Sequence, residues 1–257
     1  MERILAIARN TYRESVRSKV LYSLFFFAFL VMVLSFFFGT VTIGDRVLVV
    51  KNFGLFAMSA FTAAYAAIAG SSFLQKELAR KTIYNILAKP VKRSEFLLGK
   101  YLGMLMTTLV MLFCMGPLLI GFIAMLEGKT EILLLQAFFG IFCQLIIICA
   151  VTIFFSAIVV TPVLSGAFTL GVFFAGRSTN YLLYFIDQGE VSVISAKILK
   201  LIYIAIPHLD WLDISDEVAY GVSIPLAELT WGLLYSLGYA GFVLVLASLI
   251  FRRREFN

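Results

Sequence analysis

The sequence predicts an all-α membrane protein with six transmembrane helices, and three observations carry that prediction. Of 257 residues, 61% are apolar and 14% charged, and the mean hydropathy is +0.99. Soluble domains carry roughly 45–50% apolar and about 25% charged residues. The apolar residues fall in long continuous runs and not at period two. Lipid therefore solvates the chain through helices, which satisfy their own backbone, and not through a barrel. The net charge of +6 is spread unevenly between the runs, and that asymmetry sets a topology.

The spans are expected at 20–38, 53–74, 97–124, 132–159, 163–186 and 229–251. About twenty residues at 1.5 Å per residue cross the hydrocarbon core. The first run is longer than a signal-peptide core and lacks a small-x-small exit, so it is expected to remain as a helix. The fourth exceeds the needed length and is expected to tilt or protrude. The fifth contains Gly166, Gly171, Gly176 and Arg177, so it is expected to end or break near Gly176.

Segments 1–19, 75–100, 160–162 and 252–257, placed on one side, hold 15 of the 21 Lys and Arg but only 5 of the 15 Asp and Glu. Lys and Arg excess marks the cytoplasm. The expected product is a multi-pass protein of the cell (inner) membrane with both termini cytoplasmic. A seventh span would put Arg252, Arg253 and Arg254 outside, against the same rule.

Three stretches are neither spans nor plain loops. Residues 1–19 set Ile4, Leu5, Ala8, Tyr12 and Val16 on one helical face, opposite Arg3, Asn10, Arg13, Glu14 and Arg17. This is the pattern of an interfacial helix on anionic lipid. Residues 187–227 contain Ile198–Ile206, too short to span, so interfacial or re-entrant structure is expected on the outer side. The third stretch, 75–100, combines seven basic and two acidic residues with Leu78, Ile83, Ile86 and Leu87. Ile83, Ile86 and Leu87 share a helix face, and Pro90 should end that helix near Ala88. Positive charge alone would serve topology; an ordered apolar face should cover lipid or a protein groove.

Glu77, Lys81-Thr82, Leu87, Lys89-Pro90, Arg93 and Leu98-Gly99-Lys100 together resemble the signature of ABC-2-type permeases, the transmembrane subunits of ABC transporters. Leu209 to Asp213, Ile224-Pro225-Leu226-Ala227-Glu228 and the ending Phe251-Arg252-Arg253-Arg254-Glu255 are also similar to that family. Lys81 departs from it, standing where many relatives have glycine. The resemblance implies one ABC-2-type transmembrane domain over 1–257, used as a homodimer or heterodimer of permease halves. It implies that the first helix is an elbow and that the loop between spans 2 and 3 carries a coupling helix for a cytosolic ABC ATPase subunit. The implied interface is Glu77, Lys81, Thr82, Ile83, Ile86, Leu87, Lys89, Pro90, Arg93 and Lys100. Relatives of this kind include the permease of the nitrous oxide reductase maturation system.

No energy source is expected inside the chain. The one GK[ST], Gly128-Lys129-Thr130, has Ile123 where a P-loop needs its first glycine, so no nucleotide cofactor is expected. The six span interiors hold no acidic residue and no histidine of the kind ion-coupled carriers use. Gln136 and Gln144, two turns apart, are expected to bond a neighbouring helix. His208, Asp210, Asp213, Asp216 and Glu217 read as outer-side charge and not as a metal site. Met104, Met111 and Met115 read as packing residues, and Cys114, Cys143 and Cys149 as small hydrophobes. No catalytic constellation is present, and the basic residues follow the membrane plane, which argues against nucleic acid. A non-catalytic permease, more in keeping with export, is therefore expected. The alternatives are a membrane scaffold that recruits a cytosolic partner, or an ion-coupled carrier.

Overall fold

The computed structural model describes residues 2–41, 45–79, 92–128, 131–159, 161–181, 197, 199–200 and 203–253. Every regular element among them is helical: α1 (Glu2–Val16), α2 (Lys19–Val41), α3 (Arg46–Ala79), α4 (Arg93–Glu127), α5 (Leu134–Ile158) and α6 (Pro162–Arg177). A 3-10 turn (Asp210–Leu212), α7 (Ser215–Ala219) and α8 (Leu226–Arg253) follow. Helices α2, α3, α4, α5 and α8 are long and apolar enough to cross a membrane, whereas α6 is a shorter apolar helix.

The helix ends have local causes. Asp45 Oδ1 accepts from the amides of Val47 (3.0 Å) and Leu48 (3.3 Å), capping α3. The Lys92 amide donates to Glu95 Oε2 at 3.0 Å, the reach-back half of a capping box at the start of α4. At the far end Gly128 adopts φ +70° and donates to Ala124 O at 2.9 Å, a left-handed stop that favours glycine. The glycine of the GKT sequence is thus a helix cap, and Ile123 is buried within α4. Pro162 opens α6, where its missing N–H costs nothing.

Helix α5 is the axis of the bundle. It contacts α8, α3, α4, α6 and α7, and 78% of its most apolar window is buried, against 17% for α2 and 22% for α8. An all-round apolar helix such as α5 belongs inside, whereas α2 and α8 present broad apolar faces outward. Buried hydroxyls are satisfied by their own helices: Thr62, Thr107, Thr152 and Thr169 each donate to the carbonyl four residues back.

Two ends can be distinguished. At one, α1, the end of α3, the start of α4 and the end of α8 meet. At the other, Lys51 Nζ of α3 pairs with Glu131 Oε2 before α5 at 2.6 Å, and Gln136 exchanges two hydrogen bonds with the Ile224 backbone. The described parts of the Lys- and Arg-rich segments thus collect at one end.

Several expectations change. Helix α3 begins seven residues ahead of the expected 53, at its Asp45 cap, takes in Lys51 paired with Glu131, and runs to Ala79. The fifth span, set at 163–186 with an end or break expected near Gly176, stops at Arg177, with Ser178 as its C-cap. Its 16 residues reach only about 24 Å. The chain then returns at Pro207–Ala219 to pack on it: the Leu209 amide donates to Gly176 O at 3.0 Å, and Leu209 and Val218 are fully buried. Interfacial or re-entrant structure was expected in 187–227; within Ile198–Ile206, residues 198, 201 and 202 lie outside the described residues. Cys143 and Cys149 are buried as expected, but Cys114 is on the outer surface of the bundle. Met104, Met111 and Met115 are core residues.

Candidate functional site

The residues singled out between spans 2 and 3 divide into two groups. Lys81, Thr82, Ile83, Ile86, Leu87, Lys89 and Pro90 lie outside the described residues. Glu77 sits in the last turns of α3, its side chain likewise outside that set. Arg93 and Lys100 belong to the first two turns of α4, which form the anchor of the segment.

Arg93 reaches across to the last span. Its Nη1 donates to Phe251 O at 2.9 Å, and its guanidinium lies 5.9 Å from the Phe251 ring centroid. A cation on the final carbonyls of α8 satisfies an orphan acceptor and complements the helix dipole. Phe96 stacks on the same Phe251 ring at 6.4 Å and 16°. The start of α4 and the end of α8 are thereby clamped together by three side chains.

Lys100 turns inward. It is 2% exposed, its Nζ 3.9 Å from Glu14 Oε2 of α1 and 5.8 Å from the Phe96 ring. Lys100 comes down beside α1 because α1 approaches α4 closely at two glycines one turn apart. A Cβ on Gly99 would lie 2.7 Å from Ile7 Cβ, and one on Gly103 would lie 2.6 Å from Ala8 O and from Thr11 Cβ. The α1 face turned to α4 is accordingly small: Ala8, Thr11 and Ser15 are its buried residues. Leu5, on the apolar face expected to meet lipid, is 55% exposed on the bundle. Close approach selects small side chains at the helix contact. The pair Gly99 and Gly103 was missed at the sequence level; the Gly-x-x-x-Gly spacing within an apolar run is the signal that could have found it.

A second polar constellation lies toward the other end. Arg177, the last residue of α6, pairs through Nη2 with Asp213 Oδ2, and its Nη1 donates to Ser59 Oγ of α3 at 2.8 Å. Ser59 Oγ donates in turn to Gln144 Oε1 of α5 at 3.0 Å, and Gln144 Nε2 donates to Leu209 O at 3.3 Å. Ser215 Oγ completes the set by donating to Asp213 Oδ1 at 2.7 Å. Three helices and the returning chain are joined through one ion pair and its neighbours. Gln136 and Gln144 therefore bond neighbouring elements, as expected. Asp213 is drawn from the outer acidic group into this network, so the membrane part is less quiet than its composition suggests. Among the described residues, no three His, Cys, Asp or Glu side chains gather as a metal site would require.

Compared with known proteins, residues 5–256 match the sequence model of a family described as ABC-2 family transporter protein. No curated protein matches the chain.

Proposed function

This chain belongs to the ABC-2 family of transporter proteins and is a multi-pass permease subunit of an ABC transporter, and we propose that it couples a separate cytosolic ATPase to export. The observation that carries the proposal is the family match over nearly the whole chain, joined to the clamp at the basic end. The segment 77–90 is proposed as the docking helix of the ATPase, reading Glu77, Lys81, Thr82, Ile83, Ile86, Leu87, Lys89 and Pro90 as its contact residues. Arg93 and Lys100 act behind them, as the means by which a push on that segment reaches α8 and α1. The ATPase would do work only by contacting this segment differently in its open and closed states. Lys and Arg excess at this end puts it, with both termini, on the cytoplasmic side of the inner membrane. A second permease half, identical or related, completes the transporter.

The test is co-purification with a soluble P-loop ATPase, which a neighbouring reading frame would be the first place to seek. Ile83→Pro breaks the proposed docking helix and is expected to abolish either the association or transport-linked hydrolysis. Arg93→Glu removes the bond to Phe251 O and is expected to retain the ATPase but uncouple it. Full association and full coupling in both variants would refute the assignment. Uptake that follows the proton gradient and ignores ATP depletion would favour an ion-coupled carrier instead.

A further inference from the structure

The returning segment meets the first half of α8 through a line of aromatic rings. Tyr203 and His208 have centroids 4.3 Å apart, and His208 and Trp211 5.5 Å apart. Trp211 lies 6.5 Å from Tyr235 of α8, which lies 6.1 Å from Tyr239. Two hydrogen bonds join the same partners. The His208 amide donates to the Tyr235 hydroxyl at 2.9 Å, and the Tyr239 hydroxyl donates to Ala205 O at 3.1 Å. Two polar atoms of this stretch, His208 Nδ1 and Asp210 Oδ1, are buried without a hydrogen-bond partner among the described residues. Asp210 and Tyr203 also act electrostatically on the Tyr235 hydroxyl, so the segment and α8 converge on that oxygen. His208 is the single histidine of the chain.

The neighbouring groups favour a cation at the imidazole. On its own segment stand Tyr203 and Asp210, and from α8 come Tyr235 and, one turn on, Tyr239. Glu228 of α8 lines the same small gap as Trp211. Of the nearby cations, Arg177 of α6 is committed to Asp213 and Ser59, and Lys200 is exposed ahead of Tyr203. An aromatic face within about 6 Å attracts a cation, and a buried carboxylate oxygen without a donor attracts one too. Histidine is the side chain that gains such a charge between about pH 8 and pH 5. We propose that His208 is the proton-binding site of a catch that ties the returning segment to α8, firm when the imidazole is charged and looser when it is neutral. By linkage, a charged form favoured in the docked segment lends stability at low pH that is lost as pH rises. The catch grips the half of α8 away from Phe251, so acid there holds one part of the last span while Arg93 holds the other. The proposal rests on the reading above only for naming that side as the outer one.

The experiment takes the full chain in lipid nanodiscs from about pH 8 to about pH 5, the range in which histidine gains its charge. With Trp231→Phe, Trp211 is the only tryptophan left. A charged imidazole 5.5 Å away is expected to quench its fluorescence as the pH falls. His208→Gln, which leaves the chain without a histidine, is expected to abolish that transition. Hydrogen–deuterium exchange over residues 205–212 reads the catch itself, with parent and variant compared at the same pH so that intrinsic exchange cancels. Acidification is expected to slow the parent relative to His208→Gln on the order of fivefold. Asp210→Asn keeps the imidazole and removes the carboxylate charge. The acid-dependent slowing is expected to shrink in it, which keeps the test open if His208→Gln fails to fold. Fluorescence that titrates alike in parent and His208→Gln would overturn the proposal. So would equal acid dependence of exchange in the parent and both variants. Faster exchange in the acidified parent than in His208→Gln would make the proton a release and overturn it too. No ATPase enters either readout, so failure of the catch and failure of the coupling role can be told apart.

Discussion

Arg177 is the residue where sequence and structure diverge most. In the sequence it is a charge that spoils the fifth span; in the fold it ends that span and holds the chain that returns beside it. Its carboxylate partner is 36 residues away and the serine it donates to is 118 away. Arg177 and Asp213 are each 19% exposed, so removing one leaves the other charged in poor solvent. Breaking such a buried pair costs about 3–5 kcal/mol, and with some exposure the lower end applies. Arg177→Met is expected to destabilise the protein by about 3 kcal/mol, measured by thermal unfolding in detergent. Arg177→Met with Asp213→Leu should recover most of that loss, because the apolar pair leaves no orphan charge. A double-mutant cycle with no coupling between the two positions would show that the pair is incidental.

At the level of elements, the seating of α1 on α4 decides how the amino-terminal helix answers to movement at the loop. Contact at Gly99 and Gly103 leaves no room for a larger residue at either position. Gly103→Leu would drive its side chain into the Ala8 carbonyl and Thr11, which lie 2.6 Å from a Cβ. Overpacking of this kind costs about 1–3 kcal/mol, and α1 is the cheaper element to displace. Release of α1 would also part Lys100 from Glu14. The expected result is faster tryptic cleavage at Arg9 and Arg13 with the remaining helices intact; cleavage at the parental rate would mean that α1 is held by other contacts. The amphipathic character of α1 was legible in its spacing of apolar and charged residues. Which of its faces packs was not, since small residues at a close contact leave a weak signal in hydropathy.

For the whole molecule, orientation is the testable property. With Cys114, Cys143 and Cys149 replaced, a thiol placed at Asn257 should react with a membrane-impermeant reagent only after cells are permeabilised. One at Glu217, exposed at the opposite end, should react in intact cells. The reverse pattern would invert the topology, and labelling of both in intact cells would break it. The clamp of Arg93, Phe96 and Phe251 matters at this scale too, because it joins the loop anchor to a span 158 residues later. A displacement of segment 77–90 would thereby reach α4 and α8 together, and through them the central α5.

Class, approximate spans and the grouping of basic segments were determined by the sequence by itself. Those properties are local: twenty contiguous apolar residues need lipid, and a helix of that length reaches across it wherever its neighbours lie. The centrality of α5 was decided by tertiary structure alone, as were the Arg177–Asp213 pair and the docked face of α1. Each depends on which helix surfaces meet, and the contacts that settle it join distant residues, as Arg177 reaches Asp213 36 residues on and Ser59 118 residues back. Hydropathy sums along the chain and is blind to such partners. Shape and paired charge, brought together only by packing, decide them.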